Sequence, residues 1–226
     1  MGGGGFSMEP RNRRLDRWLL GLARRRRPRV LFVPTASGDS NDYIRRFYRS
    51  FRHYDCSAAH LDLFNRTVGS PRDAILAADL VYVGGGNTAN LLAVWRVHGV
   101  DRAMREAWEN GVVLAGVSAG AICWFESGVT DSFGVNLQPL HNGLAFLKGS
   151  FCPHYDGEKR RRPAFRRLVM RGELPTGFAA DDSAAILFEG SAVADVVASR
   201  KGASGYQVTE SGGVVRENDL QARFLA

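Results

Sequence analysis

The apolar positions of this chain alternate between two rhythms. Val30-Leu31-Phe32-Val33 is a short continuous apolar run that stops at Pro34, the pattern of a strand covered on both faces. Residues 41–51 follow with helical spacing, and Asp39, Ser40 or Asn41 can supply the N-cap. Residues 56–63 alternate as a strand does, 71–78 read as a short helix, and 79–83 form a strand that runs into Gly84-Gly85-Gly86. Two helices are predicted over 88–98 and 100–110, the second stopped by Gly111. Residues 112–117 are a strand that meets Ser118, and a helix starts at Ala119. Ahead of all this, residues 10–22 have helical spacing.

After about Gly128 the texture changes to shorter apolar runs broken by Gly, Pro and Asp, with a more antiparallel character. Residues 184–188, 193–198 and 206–208 fit edge strands, with tight turns at Glu189-Gly190 and Gly212-Gly213. The prediction is an α/β fold with a mainly parallel sheet, helices on both faces and a β-rich C-terminal part. A chain of 226 residues, 45% hydrophobic, fits one domain over 1–226. Beyond the first five residues there is no low-complexity segment, repeat or linker.

Open parallel sheets hold ligands at the C-terminal ends of their strands. Three such ends stand out: Pro34-Thr35-Ala36-Ser37-Gly38, Gly84-Gly85-Gly86-Asn87-Thr88 and Gly116-Val117-Ser118-Ala119-Gly120. The last is a G-x-S-x-G directly after an apolar strand. A sharp turn between glycines lifts a serine Oγ clear of the sheet and brings backbone N–H groups toward a developing oxyanion. The glycine loop at 84–86 lacks the lysine of a phosphate-binding P-loop and does not match G-x-G-x-x-G. It fits better as a source of a second oxyanion donor.

A serine nucleophile needs a base. His53, His60 and His98 lie in or beside regular elements and read as spectators, and His141 has a less regular context. His154 follows Phe151-Cys152-Pro153, a strand end that would deliver it to the same rim. For the acid, Asp131 gives the order Ser, Asp, His, whereas Asp181 or Asp182, just before the strand at 184, gives Ser, His, Asp; Glu189 reads as a turn residue. Sequence order leaves these open.

The three scattered cysteines, Cys56, Cys123 and Cys152, form neither a disulfide framework nor a zinc-ligand pattern and suit a reducing cytoplasm. No run of 18 apolar residues is present and the start has no secretory pattern, so neither a membrane span nor a leader is expected. The net charge is +7, almost all of it arginine, concentrated at 24–29 and at 160–162 with Arg166 and Arg167. The first cluster reads as a helix C-terminus. Aromatic residues do not interleave the arginines there, as they do in single-strand-binding platforms.

Gly-Gly-Gly-Asn-Thr at 84–88, Gly-Val-Ser-Ala-Gly-Ala at 116–121 and Pro-His-Tyr at 153–155 resemble peptidase E, the aspartyl dipeptidases of family S51, whose relatives include cyanophycinase. The opening Gly2-Gly3-Gly4-Gly5-Phe6-Ser7 and residues 34–38 fit as well, so the likeness covers nearly the whole chain. It implies a sandwich similar to class I glutamine amidotransferases and a cytoplasmic serine hydrolase without cofactor or metal. By the same likeness Ser118 is the nucleophile and His154 the base. The acid is Asp181, with Asp182 the runner-up; the oxyanion donors are the N–H groups of Ala119 and the Gly85–Gly86 turn. Asn87, Asp131 and Arg160 are the substrate-binding candidates, Asp131 for a substrate amine and Arg160 for a carboxylate.

Two departures stand beside the likeness. Aspartyl dipeptidases carry glutamate at the acid position. Family members also have an apolar strand before the glycine-rich opening, whereas this chain begins at Met1-Gly2; either the start is trimmed or mis-assigned, or the sheet lacks a strand at that edge. The expected partner is a small peptide substrate, with a homodimer compatible and neither nucleic acid nor membrane involved. The rivals are a cyanophycinase-like β-aspartyl peptidase and, in another class, a non-catalytic basic module for nucleic acid.

Overall fold

The computed structural model describes residues 1–65 and 69–226. The chain opens with α1 (Gly5–Met8) and α2 (Arg14–Leu22), then runs through β1 (Arg29–Val33), α3 (Asn41–Phe51), β2 (Ser57–His60), α4 (Pro71–Leu76), β3 (Leu80–Val83), α5 (Thr88–His98), α6 (Val100–Glu109) and β4 (Val113–Gly116). After α7 (Ala119–Ile122) come β5 (Phe125–Thr130), β6 (Gln138–Leu140), β7 (Leu147–Cys152), α8 (Arg161–Met170) and β8 (Gly177–Ala180). The chain closes with β9 (Ala184–Glu189), β10 (Ala192–Ala198), β11 (Gly205–Ser211), β12 (Val214–Asp219) and β13 (Arg223–Phe224).

β1 to β4 form a parallel sheet in the order β2-β1-β3-β4. The continuous apolar runs of β1 and β3 follow from having both faces covered. Val30, Phe32, Leu80 and Tyr82 pack with α1, α2 and α3; Leu31, Val33, Val81 and Val83 pack with α4, α5 and α6. β2, at the edge, alternates instead. The C-terminal half adds a mixed six-stranded sheet, β12-β11-β8-β7-β5-β6, parallel through β5, β7 and β8, and a small sheet β13-β10-β9. Helix α8 lies in the arginine-rich stretch and buries Ala164, Phe165, Leu168 and Val169 against this mixed sheet.

The glycine-rich opening is a buried thread. A Cβ on Gly2 would come within 2.2 Å of the Ala180 carbonyl oxygen, so the backbone there passes too close for any side chain. The thread delivers Phe6 to the centre of an aromatic cluster, with ring centroids 5.0–5.6 Å from Phe32, Tyr43, Phe47, Phe51 and Tyr82.

Met1 donates from its terminal nitrogen to the Gly116 carbonyl (2.9 Å) and accepts at its carbonyl from the Ser118 N–H (3.3 Å). Among the described residues it is all that pairs with the outer edge of β4. Beyond it, β4 and β9 line an apolar groove of about 530 Å³ with Trp18, Trp108, Phe146, Ile186 and Phe188 on its walls.

Candidate active site

Ser118 joins β4 to α7 with φ 56° and ψ −118°. That conformation is costly for a residue with a Cβ, on the order of 1–3 kcal/mol. The glycines of the motif make it sterically feasible. A Cβ on Gly116 would sit 1.8 Å from the Gly120 carbonyl oxygen, and one on Gly120 would sit 2.4 Å from that of Val83. Ala119 begins α7, so its N–H precedes the helix's own hydrogen-bond ladder.

The loop after β3 approaches from the neighbouring strand. The Cβ direction of Gly85 points at Ser118, 3.2 Å from its Cβ and 3.8 Å from Oγ. Gly86, at φ 139°, lies against Ala36, whose carbonyl oxygen a Cβ would meet at 2.1 Å. The Gly85 N–H donates to the Tyr43 hydroxyl (3.2 Å), which also shares a 2.5 Å hydrogen bond with Ser7 Oγ. Of the three donors expected from the sequence, Gly85 is therefore engaged. Among the described residues the N–H groups of Gly86 and Ala119 meet no acceptor.

His154 follows β7 with φ 53°, again in the left-handed region, and is 8% exposed. Its Nδ1 lies 2.7 Å from Asp182 Oδ1. Asp182 occupies the turn between β8 and β9, where Ser183 takes φ 67° and Gly3 pairs with Asp182 as an isolated parallel bridge. The Met1–Gly3 thread thus touches the serine at one end and the acid at the other.

The carboxylate on the histidine is Asp182, not its neighbour. Asp181 is 3% exposed and accepts from the Ser204 N–H (3.0 Å) and the Tyr206 hydroxyl (3.1 Å). Burial raises its pKa from the usual carboxylate value, and it in turn helps burial push the Tyr206 phenol up to about 12. Adjacent residues on an extended backbone point to opposite sides, so the two carboxylates meet different partners.

The three substrate-binding candidates do not meet in one cluster. Asn87 caps α5, accepting from the Asn90 N–H (2.8 Å) and donating to the Ser132 carbonyl (3.0 Å), so its amide is committed locally. Asp131 is exposed at the end of β5, 3.7 Å from Arg161. Arg160 is exposed ahead of α8. The buried cation is its neighbour Arg161, held by Glu158 (2.6 Å), Asp131 and the Val129 carbonyl (3.0 Å). Ser132 was absent from the sequence reading. Its Oγ accepts from the N–H groups of Thr88 and Ala89 and joins the end of β5 to the glycine loop. Its small polar side chain in a loop carried no signal.

Among the described residues no group of three His, Cys, Asp or Glu is placed to hold a metal, and no helix is long and apolar enough to cross a membrane.

The model of Peptidase family S51 matches residues 1–196. The chain belongs to peptidase family S51. This S51 chain is 51% identical over 227 residues to the uncharacterized peptidase YgaJ of Bacillus subtilis (strain 168), covering 100% of the chain and 97% of that protein. It is 36% identical over 86 residues to peptidase E of Shewanella denitrificans, covering 38% and 37% of the two chains. Its fold is similar to the crystal structure of a peptidase from an acI-B1 actinobacterium (TM-score 0.72, 17% identity, 98% of this chain and 92% of that one). It is also similar to a putative peptidase E from Listeria monocytogenes EGD-e (TM-score 0.60, 20% identity, 80% and 92%). The S51 chain is a peptidase.

Proposed function

We propose that this peptidase is a cytoplasmic serine-type dipeptidase that releases N-terminal aspartate from dipeptides through an acyl-enzyme on Ser118. The observation that carries the proposal is the strained backbone at Ser118 and at His154, tied by one buried thread whose Met1 pairs with Ser118 and whose Gly3 pairs with Asp182. Ser118 stands on a left-handed turn between glycines, and His154, also left-handed, is backed by Asp182 at 2.7 Å. Strain of this kind persists where the surroundings enforce it, and it collects at working sites.

In the proposed reaction His154 Nε2 takes the Ser118 hydroxyl proton as Oγ attacks the substrate carbonyl. Asp182 holds Nδ1–H, fixing the tautomer and stabilising the imidazolium that forms. The N–H groups of Gly86 and Ala119 receive the oxyanion. The proton on His154 then passes to the leaving amine, and water activated by the same ring releases the aspartate. Asp131, an exposed carboxylate on the rim, suits the substrate's α-ammonium, and Arg160 its side-chain carboxylate. The chain needs no cofactor for this chemistry.

Part of the second arginine cluster is paired within the chain. Arg162 and Arg166 both pair with Glu217, and Arg161 is buried. Burial would push the Glu217 carboxyl up, but the hydrogen bonds from Arg162, Arg166 and Tyr155 outweigh it and hold the group at about 2. The test of the proposal is hydrolysis of Asp-Leu, Ala-Leu and a β-aspartyl-arginine dipeptide by wild type and Ser118→Ala. Asp-Leu cleavage that vanishes in the variant supports it. Cleavage of the β-linked peptide alone moves the protein to the cyanophycinase side.

A further inference from the structure

The acid on His154 is held by more than its own rotamer. Asp156, two residues beyond the histidine, accepts the Asp182 N–H at Oδ1 (2.8 Å) and pairs through Oδ2 with the Arg200 guanidinium. The same Arg200 nitrogen donates to the Asp182 carbonyl (3.1 Å). Both backbone polar groups of Asp182 are therefore taken, one by each member of an ion pair. The side chain is confined as well. A Cβ on Gly3 would lie 2.1 Å from Asp182 Oδ1, and one on Gly157 would lie 1.9 Å from Oδ2. Two glycines from distant parts of the chain leave a slot that the carboxylate fills.

These contacts close a ring. The chain runs from His154 to Asp156, a hydrogen bond carries it to Asp182, and the Asp182 carboxylate returns to His154. Arg200, just past β10, ties that ring to the small C-terminal sheet. We propose that Asp156 and Arg200 are positioning residues that set the Asp182 carboxylate on His154 Nδ1, acting through Asp182 without touching substrate. The proposal rests on the reading of Ser118, His154 and Asp182 as the catalytic group.

Exposure makes the idea testable. The Asp156 and Arg200 side chains are 35% and 44% exposed, and exposed ion pairs contribute little to stability. A purely structural pair would therefore leave both folding and turnover nearly unchanged. A positioning pair should act on turnover, because misplacing a catalytic group by about 1 Å can cost on the order of 100-fold.

The experiment compares wild type, Asp156→Ala, Asp156→Asn, Arg200→Ala, Asp182→Ala and the Asp156→Ala/Asp182→Ala double variant. It follows Asp-Leu hydrolysis and the low-field proton resonance of His154 Nδ1–H. The expected result for Asp156→Ala is a kcat loss of about 10- to 100-fold with KM nearly constant, and a displaced or broadened Nδ1–H signal. Asp156→Asn, whose amide oxygen still accepts the Asp182 N–H, should recover most of the rate. In the Asp182→Ala background, Asp156→Ala should cost nothing further, as expected for residues acting as a unit. An unchanged kcat and an unshifted Nδ1–H signal in Asp156→Ala would overturn the inference, as would losses that multiply independently in the double variant. The resonance is read without substrate. A wild type that hydrolyses nothing but loses its Nδ1–H signal in Asp156→Ala would refute the dipeptidase reading and leave the clamp standing.

Discussion

Asp182→Asn separates two adjacent carboxylates whose surroundings differ completely. Asp182 Oδ1 lies 2.7 Å from His154 Nδ1, so in the wild type that nitrogen keeps its proton and Nε2 is free to accept one. An asparagine there can turn its amide N–H toward Nδ1, which moves the imidazole proton to Nε2 and blocks the base. A misassigned tautomer of this kind costs a serine triad about 10⁴ in kcat, equivalent to about 5 kcal/mol of transition-state stabilisation. Asp181→Asn should behave differently. Its partners are two donors, the Ser204 N–H and the Tyr206 hydroxyl, and an amide oxygen can still accept from them. The expected cost is about 1 kcal/mol of stability, with kcat for Asp-Leu within a few-fold of wild type. The assay is kcat and KM for Asp-Leu alongside thermal unfolding of both variants. A loss of three orders of magnitude in Asp181→Asn, with Asp182→Asn near wild type, would refute the reasoning.

One buried carboxyl makes a prediction for the pH dependence of stability. Burial raises the Asp16 carboxyl to about 7 against hydrogen bonds from the Phe6 N–H and Tyr54, so the folded chain holds a proton that the unfolded chain loses near pH 4. Stability from this group falls as pH rises through that window, and Asp16→Asn should gain up to about 4 kcal/mol at pH 8 and little at pH 4. Denaturant titrations at both values check it, and equal effects at the two would contradict it.

What was legible in the sequence was what repeats or what sterics force. β1 and β3 declared themselves because both faces are covered, and Gly212-Gly213 declared a hairpin because both residues take positive φ between β11 and β12. The site serine was legible because the close approaches at Gly116 and Gly120 exclude other residues. α8 was not, since its four buried apolar residues are interleaved with arginines, which blurs the apolar stripe. The glycine opening looked like low complexity, although Gly2, Gly3 and Gly5 each pass a carbonyl or carboxylate that a side chain would strike. The choice between Asp181 and Asp182 depended on which of two adjacent side chains faces His154, which no periodicity encodes.

The measurement that bears most directly on the central claim is covalent labelling of the folded protein by a fluorophosphonate, with the modified peptide identified by mass spectrometry in wild type and Ser118→Ala. The account predicts one label, on Ser118, absent from the variant together with Asp-Leu hydrolysis. A folded wild type that takes no label, or a Ser118→Ala protein that still cleaves Asp-Leu, would contradict it.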